Sequence, residues 1–268
     1  MPGTEAIFPL VDPVGPWRDD DPDARTAFVD LIAREVAPFA AQADAHGVTR
    51  ATIDRLAAAG LLGGQQAPAV QRDLAETLAG ADATTWFCWV QHQTPTRILE
   101  GAVAGLRQPA SEELVQGLLP SLRSGEQLAA VAFAHVRRPG APNPVATRVD
   151  GGWRLDGTLD WVTSWDIADV VMVMAHAPAE DALVCCYLPA GRGPESTIGV
   201  AVGEVLPLLA MGGTHTRPVA LDAVVVLDAA VGAVLDRRSY LESDALRTCD
   251  ANPAAFGVVR GAVAELTV

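Results

Sequence analysis

Positive charge is scarce in this chain of 268 residues: 19 lysines and arginines stand against 33 aspartates and glutamates, a formal net charge of −14. Such an acidic balance argues against partners that present a phosphate backbone or an anionic bilayer. No apolar run approaches the length needed to span a membrane. The N-terminal MPGTEAIFPLVDPVG lacks a basic region followed by an apolar one, so it does not read as a secretory signal. Cysteine is sparse as well. Cys88, Cys185, Cys186 and Cys249 form no C-x-x-C spacing, and they read as small buried hydrophobes in a reducing compartment. A cytoplasmic location is the expectation.

The familiar phosphate cradles are also missing. No G-x-x-x-x-G-K-[ST] occurs, and GRGPES at 191–196 only begins like a G-x-G-x-x-G and follows no strand–helix unit. His46, His92, His135, His176 and His215 match no metal-ligand spacing, so no metal is expected. No carboxylate pair lies in the apolar setting that would raise a pKa for acid–base work. Asp156, Asp160, Asp166 and Asp169 fall in turns and at strand ends, where turn chemistry accounts for them.

What the sequence does have is two textures. Half of the residues are hydrophobic, ample for sizeable cores. Up to about Ser124 the apolar residues recur at helical spacing. A first stripe runs from Phe28 through Val36 and Phe39 to Ala43 and stops at Gly47. Thr49 caps a second helix, a third spans about 71–80 and a fourth about 83–99. Ser111 with Glu112 and Glu113 opens a fifth, with Leu114, Leu118 and Leu122 inward. From Gly125 to about Leu235 the pattern changes to short β-type runs separated by Pro, Gly and Asp turns, as in an all-β barrel or sandwich. After Asp236 a single long helix is expected, with Phe256, Val259, Val263 and Leu266 on one stripe. Nothing left in the sequence covers that stripe, so it is buried by something else or remains an exposed patch. The fold class is α+β: an N-terminal helical bundle (1–124) packed on a central antiparallel, barrel-like β-domain (125–235), then the first helix of a C-terminal helical domain (236–268).

Within the β-domain, PVATRVDGGWRLDGTLDWVTS reads as a hairpin. Asp150-Gly151 is a strong turn signal because both central positions of such a turn favour positive φ. Trp161 and Thr163, two apart on the second strand, share one side of it. An indole and a small hydroxyl suit a flat ring edged with heteroatoms; the other reading is a packed core tryptophan with its neighbour. His135, at a strand end beside Arg137, Arg138, Pro139 and Gly140, has two readings as well. It lines a pocket or meets a diphosphate, or it belongs to a solvated loop.

This order of elements, together with DGGWRLDGTLDWVTSWDIADVVMV at 150–173, resembles the acyl-CoA dehydrogenase family. Gly151, Gly152, Leu155, Gly157, Trp161, Val162, Thr163, Ala168 and Asp169 follow that family's hairpin and W-[IV]-[TS] segment, with Leu159 in place of the usual lysine. MGGTHTRPVALDAVVVL at 211–227 is similar to a second family segment. The resemblance spans about 23–266 and implies FAD. By it, Trp161 lies against the isoalloxazine, Thr163 and its neighbour Ser164 approach N5 or O4, and Phe133, Ala134 and His135 approach the N1/O2 edge.

Two departures stand out. The family's T-E-P-x-A-G-S-D loop is replaced here by His135-Val136-Arg137-Arg138-Pro139-Gly140-Ala141. Of the family's C-terminal bundle only the first helix is expected, and CDANPAAFGVV offers Asn252 but no glutamate. No catalytic base is therefore nominated; it would come from another segment or subunit. The resemblance implies an FAD-dependent oxidoreductase on CH–CH groups that desaturates an acyl thioester, in a homo- or hetero-oligomer. The alternatives are a monooxygenase of the same fold using reduced flavin, and a non-catalytic partner subunit or truncated remnant.

Overall fold

The computed structural model describes residues 22–62, 68–138, 144–193, 197–248 and 251–266. The N-terminal segment, Pro139, Gly140, Ala141, Cys249 and residues 194–196, named above, lie outside them.

Six helices come first: α1 (Pro22–Glu35), α2 (Ala40–His46), α3 (Arg50–Ala58), α4 (Pro68–Ala81), α5 (Ala83–Leu99) and α6 (Glu112–Ser124). The caps expected at Thr49 and Ser111 form, and Asp82, not singled out in the sequence, adds a third. Thr49 accepts from the Thr52 amide, Asp82 from the Thr84 and Thr85 amides, and Ser111 from the Leu114 amide, satisfying donors that a first helical turn leaves orphaned. The first stripe, expected as one helix, is split into α1 and α2 by a 3-10 turn at Ala37–Phe39. Pro38 lacks the amide hydrogen that a continuous helix needs there.

Strand β1 (Leu106–Pro109), unforeseen in the sequence, interrupts the helices and pairs with a strand far along the chain. Then follow β2 (Ala129–Ala132), β3 (Val145–Val149), β4 (Gly152–Val162), β5 (Val170–Ala177), β6 (Ala182–Pro189), β7 (Val200–Val202), β8 (Arg217–Leu227) and β9 (Val231–Asp236). Their order is β1-β9-β6-β5-β3-β4-β8-β7, with β2 paired to β5. The sheet is antiparallel except where β5 meets β2 and β3 in parallel, because both of those strands return to β5 through a crossover rather than a hairpin. In the β3–β4 hairpin Val149 pairs with Gly152. Of its two turn residues only Gly151 takes a left-handed φ, 71°, so the expectation of positive φ at Asp150 does not hold.

Strand alternation divides the β5 side chains between two cores. Val171, Val173, Ala175 and Ala177 join residues of β4, β6 and β8 inside the curled sheet. Met172 and Met174 face the helical layer with Leu119, Leu122 and Tyr187. A third core lies within the helices around Ile53, Leu74, Leu78 and Trp89. Arg50 ties the layers together: its guanidinium contacts the Asp169 carboxylate at 2.5 Å and donates to the carbonyls of Gly125 and Glu126, both at 3.0 Å.

The expected last helix is two, α7 (Arg237–Thr248) and α8 (Pro253–Leu266). Helix α8 docks on α4 through its small residues. A Cβ on Gly257 would lie 2.0 Å from the Glu76 carbonyl oxygen, and one on Gly261 2.5 Å from that of Gly80. Arg260 forms an ion pair with the buried Glu76 carboxylate. The stripe of Phe256, Val259, Val263 and Leu266 faces away from α4 and is exposed.

Candidate functional site

The end of β2, the end of β4 and one face of α5 surround a slot of about 310 Å3. This is at the small end of ligand cavities, with room for a ring system. Phe87 and Gln91, one helical turn apart on α5, form one wall. Phe133 and Ala134 follow β2, where the sheet gives way to a 3-10 turn. Trp161 and Thr163 stand at the end of β4, facing Leu208 and Thr216.

Trp161 is 54 % exposed, far too open for a core tryptophan. The Arg138 guanidinium sits 4.6 Å from its ring centroid and pairs with Asp160. Cation–π contact thus holds the indole in place at the slot wall.

Thr163 is buried, and its hydroxyl belongs to a chain of three. The Thr214 hydroxyl donates to the Met211 carbonyl at 2.9 Å; Thr216 Oγ1 lies 2.8 Å from Thr214 Oγ1 and 3.0 Å from Thr163 Oγ1. A carbonyl only accepts, and each hydroxyl has one proton. Thr214 therefore spends its proton on Met211, Thr216 donates to Thr214, and Thr163 donates to Thr216. Thr163 is left presenting lone pairs to the slot.

Of the six residues singled out from the sequence, Phe133, Ala134, Trp161 and Thr163 line this one cavity. His135 and Ser164 do not. His135 is buried with Nε2 2.6 Å from the Met174 carbonyl, turned into the sheet by the 3-10 geometry. Burial, foremost, pushes its pKa down, so the ring is neutral and Nε2 carries the hydrogen that Met174 accepts. Ser164 is fully buried with a φ of 67°, its amide donating to the Thr214 carbonyl at 2.9 Å. The chain leaves the strand after Val162, so period-two alternation governs neither Thr163 nor Ser164, and the turn places both.

Phe87, Gln91 and Thr216 were not legible as site residues. For the α5 pair the only signal was their i, i+4 spacing, which marks a common face without saying what it meets.

A second cavity, about 260 Å3, adjoins the slot and shares Phe133 and Arg137 with it. Arg137 is stacked over Phe133, 4.8 Å from the ring centroid, and holds the Asp244 carboxylate of α7 through two bonds of 2.7 Å. Those charge-assisted bonds raise the Arg137 pKa further. The cysteines stay out of this chemistry: burial pushes the Cys88 and Cys186 thiols up to about 12 and the Cys185 thiol also upward. No cluster of metal-ligating side chains occurs among the described residues, nor any helix long and apolar enough to cross a membrane.

Helices before and after a curled, mostly antiparallel sheet make up an acyl-CoA dehydrogenase fold. The chain shares that fold with a glutaryl-CoA dehydrogenase from Mycobacterium smegmatis (TM-score 0.70, 22% identity, covering 90% of this chain and 60% of that one). The acyl-CoA dehydrogenase from Geobacillus kaustophilus is similar too (TM-score 0.67, 17% identity, 86% and 63%). In sequence the chain is 26% identical over 264 residues to benzylmalonyl-CoA dehydrogenase of Aromatoleum aromaticum, covering 90% of this chain and 64% of that protein. No protein-family model matches. The chain thus spans slightly less than two thirds of the length of these relatives.

Proposed function

We propose that the slot holds the isoalloxazine ring of FAD and that the chain is the flavin-binding part of an oxidoreductase acting on an acyl thioester. The observation that carries this is Trp161, a tryptophan more than half exposed, steadied by Arg138 and sharing a ring-sized cavity with Thr163. The donor set fits the group. Trp161 offers an aromatic face, Phe87 and Phe133 close the apolar sides, and Thr163 and Gln91 offer polar atoms to a heteroatom edge. The slot takes the ring only, so the dinucleotide tail would run outside it. When bound, the flavin supplies a two-electron oxidant that accepts a hydride.

The chain's own residues orient and enclose. Phe133 and Arg137, common to slot and adjoining cavity, would set the boundary between cofactor and substrate. None of the slot-lining residues is a carboxylate, and Asp244 in the adjoining cavity is committed to Arg137. The group that removes an α-proton is therefore assigned to a segment or subunit beyond these walls.

One observation favours a second reading, a monooxygenase of the same fold working from reduced flavin. Thr163 presents an acceptor, and reduced flavin carries N–H at N5 where oxidised flavin carries a lone pair.

Purification of the chain followed by a visible spectrum and flavin titration tests both readings. Bound yellow flavin supports the first, and uptake of reduced flavin alone supports the second. In either case Trp161→Ala should lower flavin affinity at least tenfold while shifting the unfolding midpoint little, since the side chain is exposed. Equal loss of both would return Trp161 to a purely structural part.

A further inference from the structure

We propose that Asp44, on the helical layer, is a positioning residue for the slot: it fixes the peptide plane that decides which way the hydroxyl chain at Thr163 points. The inference rests on the flavin reading above and deepens it by naming what tunes that wall.

Asp44 lies on α2 and is exposed, yet its Oδ1 accepts two hydrogen bonds. One comes from the Thr84 hydroxyl of α5 at 3.1 Å, the other from the Gly212 amide at 3.0 Å, 168 residues along the chain. The Gly212 amide belongs to the same planar unit as the Met211 carbonyl. In a trans peptide N–H and C=O point opposite ways, so an anchored N–H aims the carbonyl. That carbonyl is the acceptor from which the hydroxyl chain starts. Thr214 Oγ1 lies 2.9 Å from it, and the Thr214 amide donates to it at 3.2 Å. From there the order runs through Thr216 to Thr163.

The segment does not keep this shape unaided. Met211, with φ 57°, and His215, with φ 53°, are both left-handed, a conformation disfavoured for any side chain with a Cβ. Such residues persist where their surroundings hold them, and the α2–α3 corner does so. The Val48 amide donates to the Gly213 carbonyl at 2.9 Å, and His215 Nε2 donates to the Val48 carbonyl at 2.9 Å. Gly213 permits the close approach: a Cβ there would lie 1.7 Å from the Ala43 carbonyl oxygen. These contacts hold the flanks of the segment. Asp44 holds the Met211–Gly212 plane itself, through a charge-assisted bond.

The test uses the full chain and two readouts. Anaerobic and aerobic titrations give the preference for reduced over oxidised flavin. NMR titrations with indole, a ring N–H donor, and quinoline, a ring-nitrogen acceptor, read the polarity of the slot without flavin. The wild type should favour reduced flavin and indole. Asp44→Ala frees the peptide plane and should lower both preferences about threefold or more, while the unfolding midpoint moves little because the side chain is exposed. Asp44→Asn keeps an acceptor oxygen for the Gly212 amide and should retain both preferences. On a Thr214→Val background Asp44→Ala should change neither, because its effect passes through Thr214. A merely structural Asp44 would weaken both flavins, and both probes, alike; unchanged ratios in Asp44→Ala therefore overturn the proposal. So does a wild type that shows no preference for indole. An indole preference that Asp44→Ala removes, in a chain that takes up no flavin, sinks the flavin reading alone. Flavin uptake with ratios indifferent to Asp44 sinks the positioning role alone.

Discussion

At the residue scale, the threonine chain shows how one proton's position sets the polarity of a slot wall. Thr214 has a carbonyl to donate to, and that fixes the direction of two further hydroxyls up to Thr163. Thr214→Val removes the terminus of the chain. Thr216 can then donate back to Thr163, whose own proton becomes free to enter the slot. The expected outcome is a fall of about fivefold in the preference for reduced over oxidised flavin, measured by anaerobic and aerobic titration. A ratio unchanged from wild type would show that the hydroxyl chain does not set the polarity of Thr163. The sequence could bring Trp161 and Thr163 together, but it could not show this polarity. Thr216 lies 53 residues from Thr163, and their contact exists only once β8 has paired with β4.

At the element scale, the docking of α8 on α4 depends on what is missing from its side chains. Gly257 and Gly261 let the two backbones approach, so that Arg260 reaches the buried Glu76. Gly257→Ala places a methyl group against the Glu76 carbonyl. It should destabilise the protein by about 1–3 kcal/mol, as overpacking does, in urea-induced unfolding. Val259→Ala, on the exposed face at 62 %, should change stability by less than about 0.5 kcal/mol. The apolar stripe read from the sequence is real, yet it is not the face that this helix buries here. Hydrophobic periodicity points to large side chains, whereas a glycine contact leaves no apolar signal. The same limit explains β1: a four-residue exposed strand, LRQP, has no alternation to detect and is specified by its partner β9.

At the scale of the whole molecule, helices and sheet are stitched by polar groups buried between them. His92 on α5 is fully buried. The Ala129 amide of β2 donates to its Nδ1 at 3.0 Å, so Nε2 carries the hydrogen and donates to the Leu122 carbonyl of α6 at 3.0 Å. Burial pushes its pKa down to about 4, against about 6.5 in an unfolded chain. The neutral form is the folded one, so its contribution is complete above pH 6.5 and is lost as pH falls toward 4. Between pH 7 and pH 4.5 this one group should cost roughly 2–3 kcal/mol. His92→Gln should flatten the acid limb of stability by that amount in urea melts at the two pH values. An unaltered slope would mean that the imidazole is not held neutral.

The sequence by itself determined the sorting of the chain into helical and β segments, the capped starts of α3, α5 and α6, and the hairpin carrying Trp161. Each of these follows from neighbours within a few residues: a cap, a turn, a period of 3.6 or of two. Only the tertiary structure decided that Phe87, Gln91 and Thr216 complete the slot, and that His135 and Ser164 turn away from it. Those placements join residues tens of positions apart, and nothing local encodes which faces meet. Pairing and packing do, by excluding every other way of burying the same apolar surface.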